Sequence, residues 1–186
     1  ALPILKSDVD SYLAEKVVFS CGGYAAPALG TDGSAFSMLK TLHIQCNACT
    51  PALCFLKTNP EWVRALKGIR LLSQVTLYRN GKRLKTERGE VQFTEQALSG
   101  ICIFNLSADY KPEEKHVVYE VVLDLLPDWS LERVQSLLWE LYALRCEFPI
   151  EEILTGILQK KVCLQILKQC GIFSKKKTCF DVGIVE

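Results

Sequence analysis

The chain has 186 residues, enough for one large or two small domains that bury roughly 70% of the unfolded surface. Its 22 Lys and Arg balance 21 Asp and Glu, so no strong field exists to recruit nucleic acid or an anionic membrane. No apolar run approaches the ~20 residues needed to span a bilayer.

The N-terminus, Ala1-Leu2-Pro3-Ile4-Leu5-Lys6, lacks the basic start and long apolar centre of a signal peptide, which points to the cytoplasm. Nine cysteines is an odd number in a chain that can build a core without staples. They read as reduced thiols, mostly buried as small apolar residues.

In chain order, Val17-Val18-Phe19-Ser20-Cys21 is β-branched and apolar, and Gly22-Gly23 closes it, which predicts a buried strand and a tight turn. Tyr24 to Ser34 is a loop rich in glycine, with Pro27 inside it. Ser34 or Asp32 can cap the helix that follows, whose Phe36, Leu39 and Leu42 keep a helical period. A strand, a glycine-rich loop and a helix start make a candidate anion cradle, although many such turns bind nothing.

Pro51 to Thr58 predicts a strand led by proline. Ile69 to Tyr78 is set to pair with Lys82 to Phe93 across Asn80-Gly81, the dipeptide best suited to a type I′ turn. Leu98-Ser99-Gly100 reads as a turn into Ile101–Leu106, apolar enough to be fully buried. His116 to Asp124 is another β-branched strand. Four or five antiparallel strands in so short a stretch predict a small barrel or curled sheet.

After Pro127 the period changes. Ser130 or Asp128 caps a helix with a stripe of Leu131, Val134, Leu137, Leu138, Leu141 and Leu144. Pro149 breaks it, Gly156 interrupts, and Ile157 to Leu167 builds a second helix ending at Cys170-Gly171. Thr178 to Ile184 reads as a last strand.

Gly89-Glu90-Val91-Gln92-Phe93-Thr94, then Leu98-Ser99-Gly100 and an apolar run ending in Leu106-Ser107, resemble the signature of the bacterial HI0933-like family. These are the FAD-dependent oxidoreductases of aminoacetone-oxidase or BaiN type. Gly22-Gly23, Pro27, Gly30-Thr31-Asp32-Gly33-Ser34, Phe36 and Leu42-His43 follow the family's order, with Ala35 where its last loop glycine stands. Pro51-Ala52-Leu53 and Leu66-Lys67-Gly68-Ile69-Arg70 are similar to further family segments.

The resemblance implies an α+β fold, with a small antiparallel β-barrel or curled sheet, an attached helical bundle, and remnants of an α/β FAD-binding domain. It divides the chain into 1–50 (remnant of the FAD-binding domain), 51–126 (β insert), 127–171 (helical insert) and 172–186 (a tail returning toward the FAD domain). Gly22, Gly23, Gly30, Thr31, Asp32 and Gly33 are implied to face FAD, and Thr94 and Ser99 to face substrate. No Gly-x-Gly-x-x-Gly occurs in these residues, so the pyrophosphate grip of a dinucleotide fold is not among them. The expected protein is therefore an insert that covers the flavin and shapes a small-molecule pocket. It needs an FAD-binding half as partner, is not catalytic and binds no FAD alone, and exposes a surface able to self-associate.

Other chemistries have thinner support. His43, Cys46 and Cys49 form His-x-x-Cys-x-x-Cys with Cys54 behind them, but structural zinc usually needs a second ligand pair, so buried thiols and no metal are expected. The basic hairpin tip (Arg79, Lys82, Arg83, Lys85, Arg88) reads as a solvated face, not an RNA contact. The two histidines have no Gly-x-Ser-x-Gly elbow. Glu113-Glu114 and Glu151-Glu152 are sequence neighbours, which do not face one another. The alternative to a flavoprotein insert is a stand-alone, non-catalytic binding or interaction module.

Overall fold

A computed structural model describes residues 4–111, 115–145 and 147–172. The chain divides into two compact units, Ala1–Thr50 and Pro51–Glu186.

In the first unit, β1 (Ile4–Lys6) pairs antiparallel with β2 (Ser11–Leu13), and Ser7 closes the turn by accepting the Asp10 N–H at 2.9 Å. A 3-10 turn at Pro27–Leu29 precedes α1 (Ser34–Thr41). The strand expected at Val17–Cys21 does not form. Among the described residues no strand lies beside it, and Val18 is 86% exposed. β-propensity without a partner strand fixes nothing.

The second unit is α+β. Its five-stranded antiparallel sheet has the order β3 (Leu56–Lys57), β6 (Ala97–Ser99), β5 (Lys82–Phe93), β4 (Arg70–Arg79), β7 (Tyr119–Asp124). The β4–β5 hairpin is as the sequence dictates. Asn80 and Gly81 sit at φ 51° and 73°, as a type I′ turn requires. Register shifts by one after Leu77, so Leu84 bulges out of the pairing. Ser73, Val75 and Leu77 alternate onto the inner face with Val91 and Phe93, all between 0% and 2% exposed. Each of the large apolar side chains among them contributes about 1.5–3 kcal/mol through burial.

Ile101–Ser107 is a helix, α3, with Cys102, Ile103 and Leu106 against the sheet and Ile101 76% exposed, so only one face of the apolar run is buried. Gly89 permits this approach, since a Cβ there would stand 3.2 Å from that of Cys102. The Leu98-Ser99 turn is in fact part of strand β6. The strand expected from Pro51 shrinks to Leu56–Lys57, because Leu53 adopts φ 55° and interrupts any extended run. That expected from His116 starts only at Tyr119, because Asn80 Oδ1 accepts the Val118 N–H at 2.9 Å and draws the lead-in toward the turn.

α2 (Pro60–Ala65), capped by Asn59 through the Glu61 N–H, sends Val63 and Leu66 into the main core. α4 (Leu131–Arg145) starts at Ser130, whose Oγ accepts the Arg133 N–H. Its stripe is not buried as expected. Leu141 and Tyr142 meet a small second core of Ile150, Ile153 and Leu167, while Leu131 and Leu144 stay 69% and 79% exposed. Among the described residues the core it meets is built from a 3-10 turn and α5, too little to cover the stripe. α5 (Lys160–Gln169) begins after Ile157 and Leu158 rather than at them, and Gly171 (φ 76°) ends it. The expected strand at Thr178–Ile184 lies outside the described residues.

Of the described cysteines only Cys102 and Cys163 are buried; Cys21, Cys49 and Cys170 are exposed, and Cys46 and Cys54 are intermediate. The expectation of mostly buried thiols fails because most sit in loops and termini rather than on core faces. All seven are free thiols.

Candidate functional site

The first candidate is the glycine-rich loop. Thr31 Oγ1 donates to the Ala25 carbonyl, and the 3-10 turn between them is flanked by Ala26 and Gly30 at φ 54° and 97°. Tyr24 stacks on Phe36 with centroids 4.9 Å apart and planes 11° from parallel. The loop thereby folds on itself. Gly22 (φ 79°) lies against the Thr31 methyl and Gly33 (φ 78°) under the Tyr24 ring, where a Cβ would collide, while Gly23 sits near the Phe36 ring. The structure brings together all of Gly22, Gly23, Gly30, Thr31, Asp32 and Gly33.

The loop does not fit a pyrophosphate. Asp32 Oδ1 already accepts the Ser34 N–H at 2.9 Å, and the Phe36 N–H goes to the Gly33 carbonyl. The Ser34 hydrogen bond also holds the exposed Asp32 carboxyl below its usual range, so this helix start carries its own anion. At Gly30 nothing lies within 4 Å of where a Cβ would be, which leaves bare backbone for a flat group to approach. The start of α1 is thus already served by the Asp32 carboxylate.

His43 (φ 58°) follows α1, with Cys46 and Cys49 beyond it; among the described residues no group of three His, Cys, Asp or Glu side chains converges as a metal site would.

The second candidate is in the sheet unit. The two edge strands, β3 and β7, line the same apolar groove of about 890 Å³, so the sheet curls into a half-barrel around it. Trp62 from α2 and Tyr110 beyond α3 join Tyr119, Val121 and Leu123 from β7 in its walls. Tyr110 meets Tyr119 edge-on, with centroids 4.9 Å apart. Thr94 and Ser99 are not among the residues lining this groove. Thr94 Oγ1 accepts the Ala97 N–H at 3.1 Å and donates to its carbonyl at 2.8 Å, closing the β5–β6 turn. Ser99 pairs with Gln92 and is half-exposed.

Sequence reasoning missed the groove, because its walls come from segments far apart in the chain. The alternation of Tyr119, Val121 and Leu123 was the available signal.

Two cations of the basic hairpin, Arg88 and Lys85, are held by carboxylates. Arg88 Nη2 reaches both carboxylate oxygens of Asp128, at 2.8 and 2.7 Å. Lys85 contacts Glu87 at 3.2 Å and Asp109 at 3.5 Å, and the Glu87 hydrogen bond is the main cause of its raised ammonium pKa.

A curled antiparallel half-barrel joined to helices defines the class: a β-barrel domain with attached helices. Residues 50–184 match the family described as the HI0933-like protein barrel and H2TH domain, and the chain belongs to that family. A curated relative, the 3-dehydro-bile acid delta(4,6)-reductase of Clostridium scindens, is 27% identical over 171 residues, which is 89% of this chain. The chain spans 41% of that relative's length. No helix among the described residues is long and apolar enough to cross a membrane.

Proposed function

We propose that this chain is the insert part of a cytoplasmic, FAD-dependent oxidoreductase acting on a small molecule. Its barrel and helices cover the flavin and shape the substrate pocket, and the loop from Gly22 to Gly33 faces the ring. One observation carries the reading: the 171-residue similarity to a reductase takes in 89% of the chain. When bound, FAD would supply hydride or electron transfer, and this chain's residues would position and enclose. The pyrophosphate is held by a separate FAD-binding half, since the loop's helix start is already occupied by Asp32. The chain alone is therefore non-catalytic and binds no FAD. A second reading is a binding module, and the apolar groove between β3 and β7 is the observation that favours it.

The visible spectrum tests the proposal. The chain with added FAD should be colourless after gel filtration. Mixed with a polypeptide carrying the relative's remaining residues, it should retain bands near about 370 and 450 nm. A yellow chain on its own would overturn the division of labour. No uptake by the mixture would leave the binding module.

A further inference from the structure

We propose that residues 17–21 are a docking strand. They add to the edge of a helix-covered sheet in the FAD-binding half, and α1 packs onto that sheet behind them. The first unit has no core of its own. Among its described residues Ala35 is the one buried apolar side chain, and neither hydrophobic core takes in any of them. Val18, Leu29, Met38 and Leu42 are all exposed. So small a unit does not hold a fold on so little burial.

The pattern says what is missing. Val17, Val18 and Phe19 put apolar side chains on both faces of an extended chain. Strands of that kind belong to parallel sheets covered by helices on either side, whereas a strand with one face in water alternates. Residues 17–21 lead through Gly22 and Gly23 into the loop and α1, the order of a strand-turn-helix unit. Ala35, Met38 and Leu42 share one stripe of α1 and its end, and the last two are uncovered. The strand lacks its neighbours, and the helix lacks its sheet.

Length and geometry choose the occupant. The chain spans 41% of the relative's length, so more than half of that protein has no match in this chain. A second copy does not serve. Two such strands would pair as a two-stranded ribbon with both faces still in water. The inference rests on the flavin reading for its partner, and it names the surface by which that partner holds this chain.

The test mixes the full chain with a polypeptide carrying the relative's remaining residues and FAD, and follows amide exchange by mass spectrometry. Exchange at residues 17–21 should be fast in the chain alone and at least about tenfold slower in the mixture. Val18→Asp, at an exposed position, should leave the chain's circular dichroism unchanged. It should weaken the complex about a hundredfold, because a carboxylate would be buried in the new sheet. Leu131→Asp, also exposed but on α4, should leave the complex unchanged. Protection without visible flavin bands would uphold the docking strand and sink the flavin reading. Bands without protection would do the reverse. The proposal is also overturned by no complex, by slow exchange at residues 17–21 in the chain alone, or by equal weakening from the two variants.

Discussion

Ser107 Oγ accepts the backbone N–H of Cys54 at 2.9 Å across 53 residues of sequence, and donates its own proton to the Phe104 carbonyl at 2.8 Å. One hydroxyl on the last turn of α3 thus anchors the segment leading into β3, beside the groove. Ser107→Ala would leave that N–H without its partner, at a cost of about 1–2 kcal/mol. A lower urea midpoint should come with faster amide exchange at Cys54. A lower midpoint with unchanged exchange there would disprove the anchor.

Gly100 should tolerate no side chain. It sits at φ 115° and ψ 161°, a region open essentially to glycine, and a Cβ would run into the Glu90 carbonyl. Gly100→Ala should cost about 2–3 kcal/mol in a chemical melt. Gly81→Ala, also at positive φ but with open space around it, should cost less.

Ser73 predicts the opposite direction. Its side chain is fully buried and its hydroxyl has no partner among the described residues. Ser73→Ala removes an unsatisfied group from the core, so stability should hold or rise by up to about 1 kcal/mol. A clear fall in the midpoint would mean that the hydroxyl is satisfied after all.

The thiols should divide by burial. Burial pushes the Cys102 and Cys163 thiols above the ordinary cysteine value. A raised folded pKa favours the fold while pH stays below the ordinary value, and this contribution is lost as pH climbs toward the folded one. Iodoacetamide at neutral pH should therefore modify Cys21, Cys49 and Cys170 first, and reach Cys102 and Cys163 only with unfolding. Peptide mass mapping reads this directly.

Asp32 titrates with the reverse sign. Its carboxyl is held down by the Ser34 N–H, so its support for the start of α1 is present above the ordinary carboxylate value and lost as pH falls through the depressed one. The Ser34 amide resonance should shift in that acid window. Asp32→Ala should remove the shift and fray the first turn.

Much of this was legible from single residues. Asn80-Gly81 specified the hairpin because only a few residue types accept positive φ twice in succession. Ser130 and Gly171 marked helix ends for equally local reasons. Ile101–Leu106 showed burial but not its helix, since a short apolar run carries no decisive period. Val17–Cys21 misled because a strand is defined by its neighbour, which local sequence does not contain. The glycine-rich loop could be located, yet its helix start being occupied by Asp32 is a matter of side-chain placement. The groove was hidden for the same reason: Trp62, Tyr110 and Val121 line one cavity only after the sheet curls.

Asn80 has a consequence beyond its turn. Its N–H donates to the Val118 carbonyl at 2.8 Å while its side-chain oxygen receives the Val118 N–H, so the residue that reverses one strand pair also grips the approach of a third. That grip exists only where the reversal is closed, so the alignment of β7 depends on the turn between β4 and β5. Because the hairpin's contacts are near in sequence, pulse-labelled amide exchange should protect β4 and β5 before Val118.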